Sequence, residues 1–346
     1  MEKRGYATAG AWTPEACVIH PEAVRQLHRE FLRNGADVLQ TFTFFCSDEQ
    51  LEHTSAGTNS NEHLTADGIN AAAVDLAKEV AQEGGALVAG SVSPLSSVSF
   101  EKGKEYSQDA FRKQLRIFKD KGVDFLLGEF FINVTEAEWA IETMAEIGVP
   151  VACTMRVPPS GDRYGVSVAE CAVRMAKAGA SVVGVNCMYD PTISLKSIAL
   201  MKKGLQEAGL QTYLMVQPLG FHTQDPGMEE NHEGYVALPQ WPYAMEPRAL
   251  TRIEVYRFAR EAYELGVRYI GGCCGFEPHH IKAIAEELAE ERGRLPPSAG
   301  TRGSWKSLGL SQIKCYAAKT NWKYWDNLEP TTGRDIGAFS ELMPAD

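Results

Sequence analysis

Two adjacent thiols, Cys273 and Cys274, lie in the stretch Gly271-Gly272-Cys273-Cys274-Gly275, directly after the short run Val267-Arg268-Tyr269-Ile270 and before a helix-like segment. Consecutive Cα atoms are only about 3.8 Å apart, shorter than a disulfide prefers, so the pair does not read as a structural crosslink. It suits a soft metal instead, with a third thiolate supplied from elsewhere. Cys187, in Gly184-Val185-Asn186-Cys187, is the best candidate because it also ends an apolar run. Three thiolates around zinc leave a fourth position open and the site at a charge of about −1, which makes it a poor polariser of carbonyls and a good holder of a substrate thiolate. Such binding keeps the substrate thiol deprotonated at neutral pH and preserves its nucleophilicity, so alkyl transfer to sulfur follows. A cationic methyl donor needs an aromatic enclosure, for which Trp12, the run Phe42-Thr43-Phe44-Phe45 and Phe130-Phe131 are candidates, although large apolar side chains also serve packing. Glu129, at a strand end, either binds a substrate ammonium or is salt-bridged to the scaffold.

Cys17, Cys46, Cys153, Cys171 and Cys315 read as small buried hydrophobes. A thiol redox role for Cys273-Cys274 is the competing chemistry; it predicts a reversible two-electron potential and no metal, and no CxxC motif supports it.

The elements that position these residues follow one repeated unit: a helix-like segment, a glycine, a small or β-branched residue, a variable position and an apolar run. Gly35-Ala36-Asp37-Val38-Leu39, Gly122-Val123-Asp124-Phe125-Leu126, Gly148-Val149-Pro150-Val151-Ala152, Gly179-Ala180-Ser181-Val182-Val183 and Gly266-Val267-Arg268-Tyr269-Ile270 are the clearest copies. Glycine readily takes the left-handed conformation that ends a helix, and a run apolar on both faces suits a parallel strand covered by helices. Strands are expected near 37–43, 86–92, 124–129, 151–156, 181–186, 212–217 and 267–272. Helices are expected near 21–34, 68–83, 108–121, 136–147, 167–178, 193–208, 248–265 and 278–291, with capping boxes at Thr135-Glu136-Ala137-Glu138 and Ser167-Val168-Ala169-Glu170. Alternation on this scale predicts an α/β (β/α)8 TIM barrel over residues 1–297 with its first strand missing, because nothing strand-like precedes the first helix. Residues 46–67 and 219–247 are insertions on the C-terminal face, where barrel sites are built. Residues 298–346, with Trp305, Trp322, Tyr324 and Trp325, read as an arm packing on this or another subunit.

Composition sets the outer bounds. The 346 residues are 44% hydrophobic, enough for a sizeable core, and the net charge of −11 argues against a nucleic-acid partner. No apolar stretch approaches the roughly 20 residues of a membrane span, and the N-terminal residues lack a signal peptide's apolar core, so a cytoplasmic location is expected.

Gly184-Val185-Asn186-Cys187 together with Gly271-Gly272-Cys273-Cys274-Gly275 resembles the zinc signature of the homocysteine S-methyltransferases. The likeness is closer still to the family's betaine–homocysteine and S-methylmethionine-using branches, through Trp12-Thr13-Pro14-Glu15-Ala16, Gln40-Thr41-Phe42-Thr43-Phe44, Asp190-Pro191-Thr192 and Arg268 to Pro278. It covers nearly the whole chain. The resemblance implies methyl transfer from betaine to L-homocysteine, giving methionine and dimethylglycine, with S-methylmethionine as the alternative donor. It implies one Zn2+ per chain on Cys187, Cys273 and Cys274, Glu129 holding the homocysteine amino group, Gln40 and Thr41 in its pocket, and Trp12 in the donor site. Phe45 and Phe130 stand where the betaine enzyme has tyrosines, which removes two hydroxyls and keeps two aromatic faces. The tail is expected to assemble homodimers or homotetramers. The missing first strand, which in the family ends in Asp-Gly-Gly and contacts homocysteine, motivates a rival reading: an inactive barrel that assembles with a full-length homologue.

Overall fold

The computed structural model describes residues 13–54 and 64–301. In chain order these form α1 (Ala16–Ile19), α2 (Pro21–Arg33), β1 (Val38–Gln40), α3 (Asp48–Thr54), α4 (Ala66–Gly84), β2 (Leu87–Val92), α5 (Ser97–Glu101), α6 (Lys104–Lys121) and β3 (Phe125–Phe131). They continue as α7 (Val134–Ala145), β4 (Val151–Met155), α8 (Val168–Lys177), β5 (Val182–Asn186), α9 (Pro191–Glu207), β6 (Tyr213–Gln217), α10 (Arg252–Leu265), β7 (Val267–Ile270), α11 (Pro278–Glu287) and α12 (Ala289–Arg292). Every strand and helix expected from the repeat is present, and α1, α3, α5 and α12 are short additions.

Local chemistry accounts for the boundaries. The helix-ending glycines behave as expected: Gly122 closes α6 at φ 66° and Gly266 closes α10 at φ 103°. Ser167 caps α8 by accepting from the Glu170 amide. The cap expected at Thr135 is corrected: Asn133 caps α7 and accepts from the Thr135 amide at 2.8 Å, because an asparagine two residues upstream competes for the same orphan donors. A reciprocal box that pattern reading missed joins Thr251 and Glu254 at the start of α10.

The seven strands form one parallel sheet in sequential order β1 to β7. The sheet curls on itself. On the concave side, Ala89, Leu127, Ala152 and Met215 pack with Val38, Phe125, Val182 and Tyr269, and the Phe125 and Tyr269 rings on β3 and β7 lie 6.2 Å apart. The larger core sits outside the sheet, where Phe111, Leu115, Phe118, Ile141 and Met144 pack beneath the helices. Close approach is enforced at Gly184 on β5, where a Cβ would lie 1.8 Å from the Met215 carbonyl oxygen on β6.

Between β1 and β7 the helical layer closes but the strand layer does not. A Cβ on Gly35, just after α2, would lie 2.7 Å from Ala285 Cβ on α11, and Arg292 ties Asp37 and the Gly35 carbonyl together, each at 2.8 Å. Among the described residues no strand pairs the outer edge of β1 or of β7. A cavity of about 720 Å³ runs along both edges, past Val38, Gln40, Tyr269 and Ile270, and up to Cys187, Cys273 and Cys274. The expected arm lies mostly outside the described residues, as do Trp12 and Cys315.

Candidate metal centre

The ends of β5 and β7 bring the three cysteines together. Cys187 follows the last residue of β5 in left-handed backbone (φ 58°), and its amide donates to the Gln217 carbonyl at 2.8 Å. The Cys273-Cys274 loop rests on the segment after β6: the Cys273 amide donates to the Pro218 carbonyl (2.9 Å) and the Gly220 amide donates to the Cys274 carbonyl (2.7 Å). Gly220 permits that contact, because a Cβ there would lie 2.4 Å from the Gly275 carbonyl carbon.

The Sγ atoms of Cys187, Cys273 and Cys274 all lie within 4.8 Å of one another, and those of Cys187 and Cys274 are 3.6 Å apart. Tetrahedral bonds of about 2.3 Å to zinc require sulfurs about 3.8 Å apart, so the cluster has the spacing of a metal site. Electrostatics agree. Three thiols in one buried place cannot all ionise without a counter-charge: hydrogen bonds from Cys187 and Cys273 hold the Cys274 thiol well below its usual range, and sharing that one charge holds the other two well above theirs. A divalent cation would relieve the conflict. Tyr235, from the 219–247 insertion, lines the same cavity, helps to lower the Cys274 thiol and is itself kept protonated by burial. Cys187 is buried, Cys273 and Cys274 are half-buried, and all three line the cavity, so an open coordination position would face it. The other four described cysteines are buried free thiols.

Glu129 on β3 lines the same cavity and is buried. One carboxylate oxygen accepts from Gln40 Nε2 and from Ser91 Oγ (2.6 Å); the other faces Asn186 Nδ2 at 3.5 Å. No cation acts on it among the described residues, and burial, helped by the nearby Cys274, pushes its pKa up to about 7 against the lowering effect of Ser91 and Gln40. A buried acid with neutral donors and no positive partner is suited to a ligand ammonium. Thr41 lies behind it, accepting from the Ser91 amide (2.9 Å) and sharing a hydrogen bond with Thr43.

The aromatic residues divide. Phe44 and Phe130 line the cavity with ring centroids 5.6 Å apart, and Phe45 stands behind Phe44 at 4.3 Å, so Phe45 backs the wall rather than forming it. Phe45 (φ 52°), Phe130 (φ 72°), Cys187 and Met188 (φ 61°) are the four described non-glycine residues in left-handed backbone, and all stand around this site. Such strain persists where surrounding structure over-determines it.

Sequence reasoning missed Ser91, Tyr235 and the amide of Asn186. Asn186 joins three strands: its Oδ1 accepts from the Phe130 amide (2.9 Å) and Thr154 Oγ1 (2.8 Å), and its Nδ2 lies 4.0 Å from Cys273 Sγ. Its place immediately before a candidate ligand cysteine was the available signal.

Residues 1–288 match the family model described as homocysteine S-methyltransferase. The chain is 52% identical over 335 residues to betaine–homocysteine S-methyltransferase 1 of Pongo abelii, covering 96% of this chain and 81% of that protein, and 53% identical to that of Xenopus tropicalis, with 96% and 82% covered. It is also 52% identical to S-methylmethionine–homocysteine S-methyltransferase BHMT2 of Pongo abelii, covering 96% and 88%. Among solved structures, the metallated form of the homocysteine methyltransferase MmuM from Escherichia coli superposes with a TM-score of 0.61 at 17% identity, covering 82% of this chain and 91% of that one, which supports the fold. With the cysteine cluster and the acidic pocket carried on one curled parallel sheet, this chain belongs to the homocysteine S-methyltransferase family.

Proposed function

We propose that this protein transfers a methyl group from betaine to L-homocysteine, giving methionine and dimethylglycine, at a Zn2+ ion held by Cys187, Cys273 and Cys274. The observation that carries the reading is the cluster of three thiols opening into the cavity that Glu129 shares. Bound zinc supplies the charge that keeps homocysteine's thiol ionised at neutral pH. Glu129 takes the homocysteine ammonium, with Gln40 and Ser91 fixing its carboxylate and Thr41 fixing Ser91. That ion pair would draw Glu129 back to its charged form. Phe130 and Phe44, backed by Phe45, enclose the donor's cationic end; Trp12, proposed for donor binding, lies outside the described residues. Methyl transfer forms an S–C bond and breaks an N–C bond, leaving the electron pair on nitrogen. Thiolate and ammonium charges cancel, so a low-dielectric cavity favours the reaction.

The trough between β1 and β7 has the place and parallel edges for an eighth strand, and the architecture proposed for residues 1–297 is a (β/α)8-type barrel of which the described residues supply seven strands. Residues 298–346 are assigned to an oligomerisation arm of a homodimer or homotetramer in the cytoplasm. No helix among the described residues is long and apolar enough to cross a membrane.

The test is zinc content of the native chain with and without chelator, alongside methyl transfer to homocysteine from betaine and from S-methylmethionine. About one zinc per chain and zinc-dependent turnover from betaine are expected. Equal turnover by stripped and loaded protein overturns the metal reading; turnover from S-methylmethionine alone reassigns the donor.

A further inference from the structure

Arg156 follows the last residue of β4, its amide donating to the Phe131 carbonyl at 2.9 Å, so the sheet fixes its backbone. Its guanidinium lies 4.7 Å from the centroid of the Phe130 ring, with Nη1 3.5 Å from Met188 Sδ, and its Nε is buried with no hydrogen-bond partner. Both contacting residues are held in left-handed backbone. Among the described residues Arg156 makes no ion pair, whereas two other shielded arginines on this scaffold grip carboxylates with both prongs: Arg248 holds Asp225 at 2.6 and 2.9 Å, and Arg174 holds Glu138. Arg163 adds to burial in disfavouring the Arg156 cation, while the ionised forms of Tyr189, Cys187 and Tyr235 would favour it. The carboxylate of Asp162, next to Arg163 in sequence, is committed to the Val134, Tyr164 and Val166 amides. A partly desolvated guanidinium with an unused N–H and no counter-ion is a site for a planar anion.

Its position identifies the anion. Phe130, whose ring the Arg156 guanidinium covers, lines the cavity that reaches the thiols, and Tyr235 and Cys187, both lining that cavity, are near enough to feel the Arg156 charge. Betaine carries its carboxylate oxygens within roughly 3–4 Å of the ammonium nitrogen by standard bond lengths, about the reach of one aromatic ring. We infer that Arg156 binds the carboxylate of the methyl donor, selecting zwitterionic donors over bare cations. This rests on the methyltransferase reading above. The aromatic faces attract the donor's positive end, and Arg156 repels any cation that brings no carboxylate to compensate.

The test compares wild type with Arg156→Gln and Arg156→Lys, all zinc-loaded. Steady-state kinetics with betaine, S-methylmethionine and homocysteine are paired with calorimetric binding of betaine, binding of tetramethylammonium and metal content. Loss of a charge-assisted carboxylate contact raises the betaine KM and Kd about 10- to 100-fold in the Gln variant. The Lys variant recovers part of that loss, because it keeps the charge without the fork. Zinc content and homocysteine KM stay unchanged, and tetramethylammonium binds the Gln variant at least as tightly as wild type. A betaine KM and Kd within twofold of wild type overturns the inference. So does a variant that loses zinc or homocysteine affinity in step with betaine, which would assign Arg156 to balancing the charge of the thiolates. Wild type that turns over neither donor overturns the methyltransferase reading and this inference with it, an outcome distinct from a working wild type beside an unaltered variant.

Discussion

Asn186→Ala tests whether one buried amide holds the substrate wall to the metal wall. Asn186 is 1% exposed. Its removal leaves the Phe130 amide without its acceptor, while Thr154 can turn its hydroxyl toward the Gly128 carbonyl, already 3.5 Å away. One orphaned buried donor costs about 1–3 kcal/mol, and truncating the side chain leaves a small cavity worth about 1 kcal/mol more. Urea titration of metal-free protein is therefore expected to show a loss of about 2–4 kcal/mol. Function shifts as well. Phe130 sits at φ 72° with its amide anchored to Asn186, so losing that anchor releases the strained backbone beside Glu129 and raises the homocysteine KM more than it lowers zinc content. The Nδ2 contacts to Glu129 (3.5 Å) and Cys273 (4.0 Å) are long, which is why the effect is assigned to the acceptor end. A variant within about 0.5 kcal/mol of wild type and with unchanged homocysteine KM would refute this, since such a value is ordinary for substitutions that disturb nothing.

Cys273→Ala leaves two thiolates and is expected to abolish zinc retention, measured by native mass spectrometry, whereas Cys171→Ala, buried in the outer core, keeps wild-type zinc content; equal loss in both would mean the ligands are misassigned. Gly220→Ala drives a methyl group into the Gly275 backbone and should weaken zinc binding in chelator competition without removing a ligand, and an unshifted competition curve counts against the clamp between the loops after β6 and β7. Glu136, buried and accepting from the Leu95 amide, has its pKa pushed up to about 7 by burial. The folded state binds that proton more tightly than the unfolded chain, so the stability it contributes is full below about pH 4.5 and lost as pH rises toward 7, on the order of 3 kcal/mol. Glu136→Gln should flatten the stability profile between pH 5 and 7 and stabilise the protein at pH 8; parallel profiles for variant and wild type would exclude that origin.

The parts of this structure that were readable in the sequence are those fixed by local chemistry. A glycine that ends a helix and an apolar run after it are short-range signals, so all seven strands and the rim position of Cys187, Cys273 and Cys274 followed from them. Strand lengths were less readable: the run 37–43 yields only Val38–Gln40, because the Thr41 hydroxyl accepts the Ser91 amide and the Thr43 amide turns back to the Thr41 carbonyl. The cap at Asn133 was missed because two capping residues compete within one turn and spacing alone does not rank them. The polar partners Ser91 and Tyr235, and the isolation of Arg156, depend on which strand ends face each other across the curl. No local pattern encodes an arginine that lacks a carboxylate partner among the described residues.

The two halves of the site stand on different supports. The thiols come from the ends of β5 and β7, joined through the segment after β6, so the thiol cluster is braced by three neighbouring strands and the apolar residues of the 219–247 insertion, including Leu219, Met228 and Leu238. The Glu129 pocket instead leans on β1, a strand of three residues with one edge unpaired among the described residues, whose Gln40 reaches across β2 to the carboxylate on β3. Backbone pairing on one side only holds β1 less firmly than a strand paired on both. The thiol cluster and the Glu129 pocket are therefore separately supported parts of this fold. Asn186, bonded at one end to the strand that carries Glu129 and placed beside Cys187 in sequence, is where one support is registered against the other.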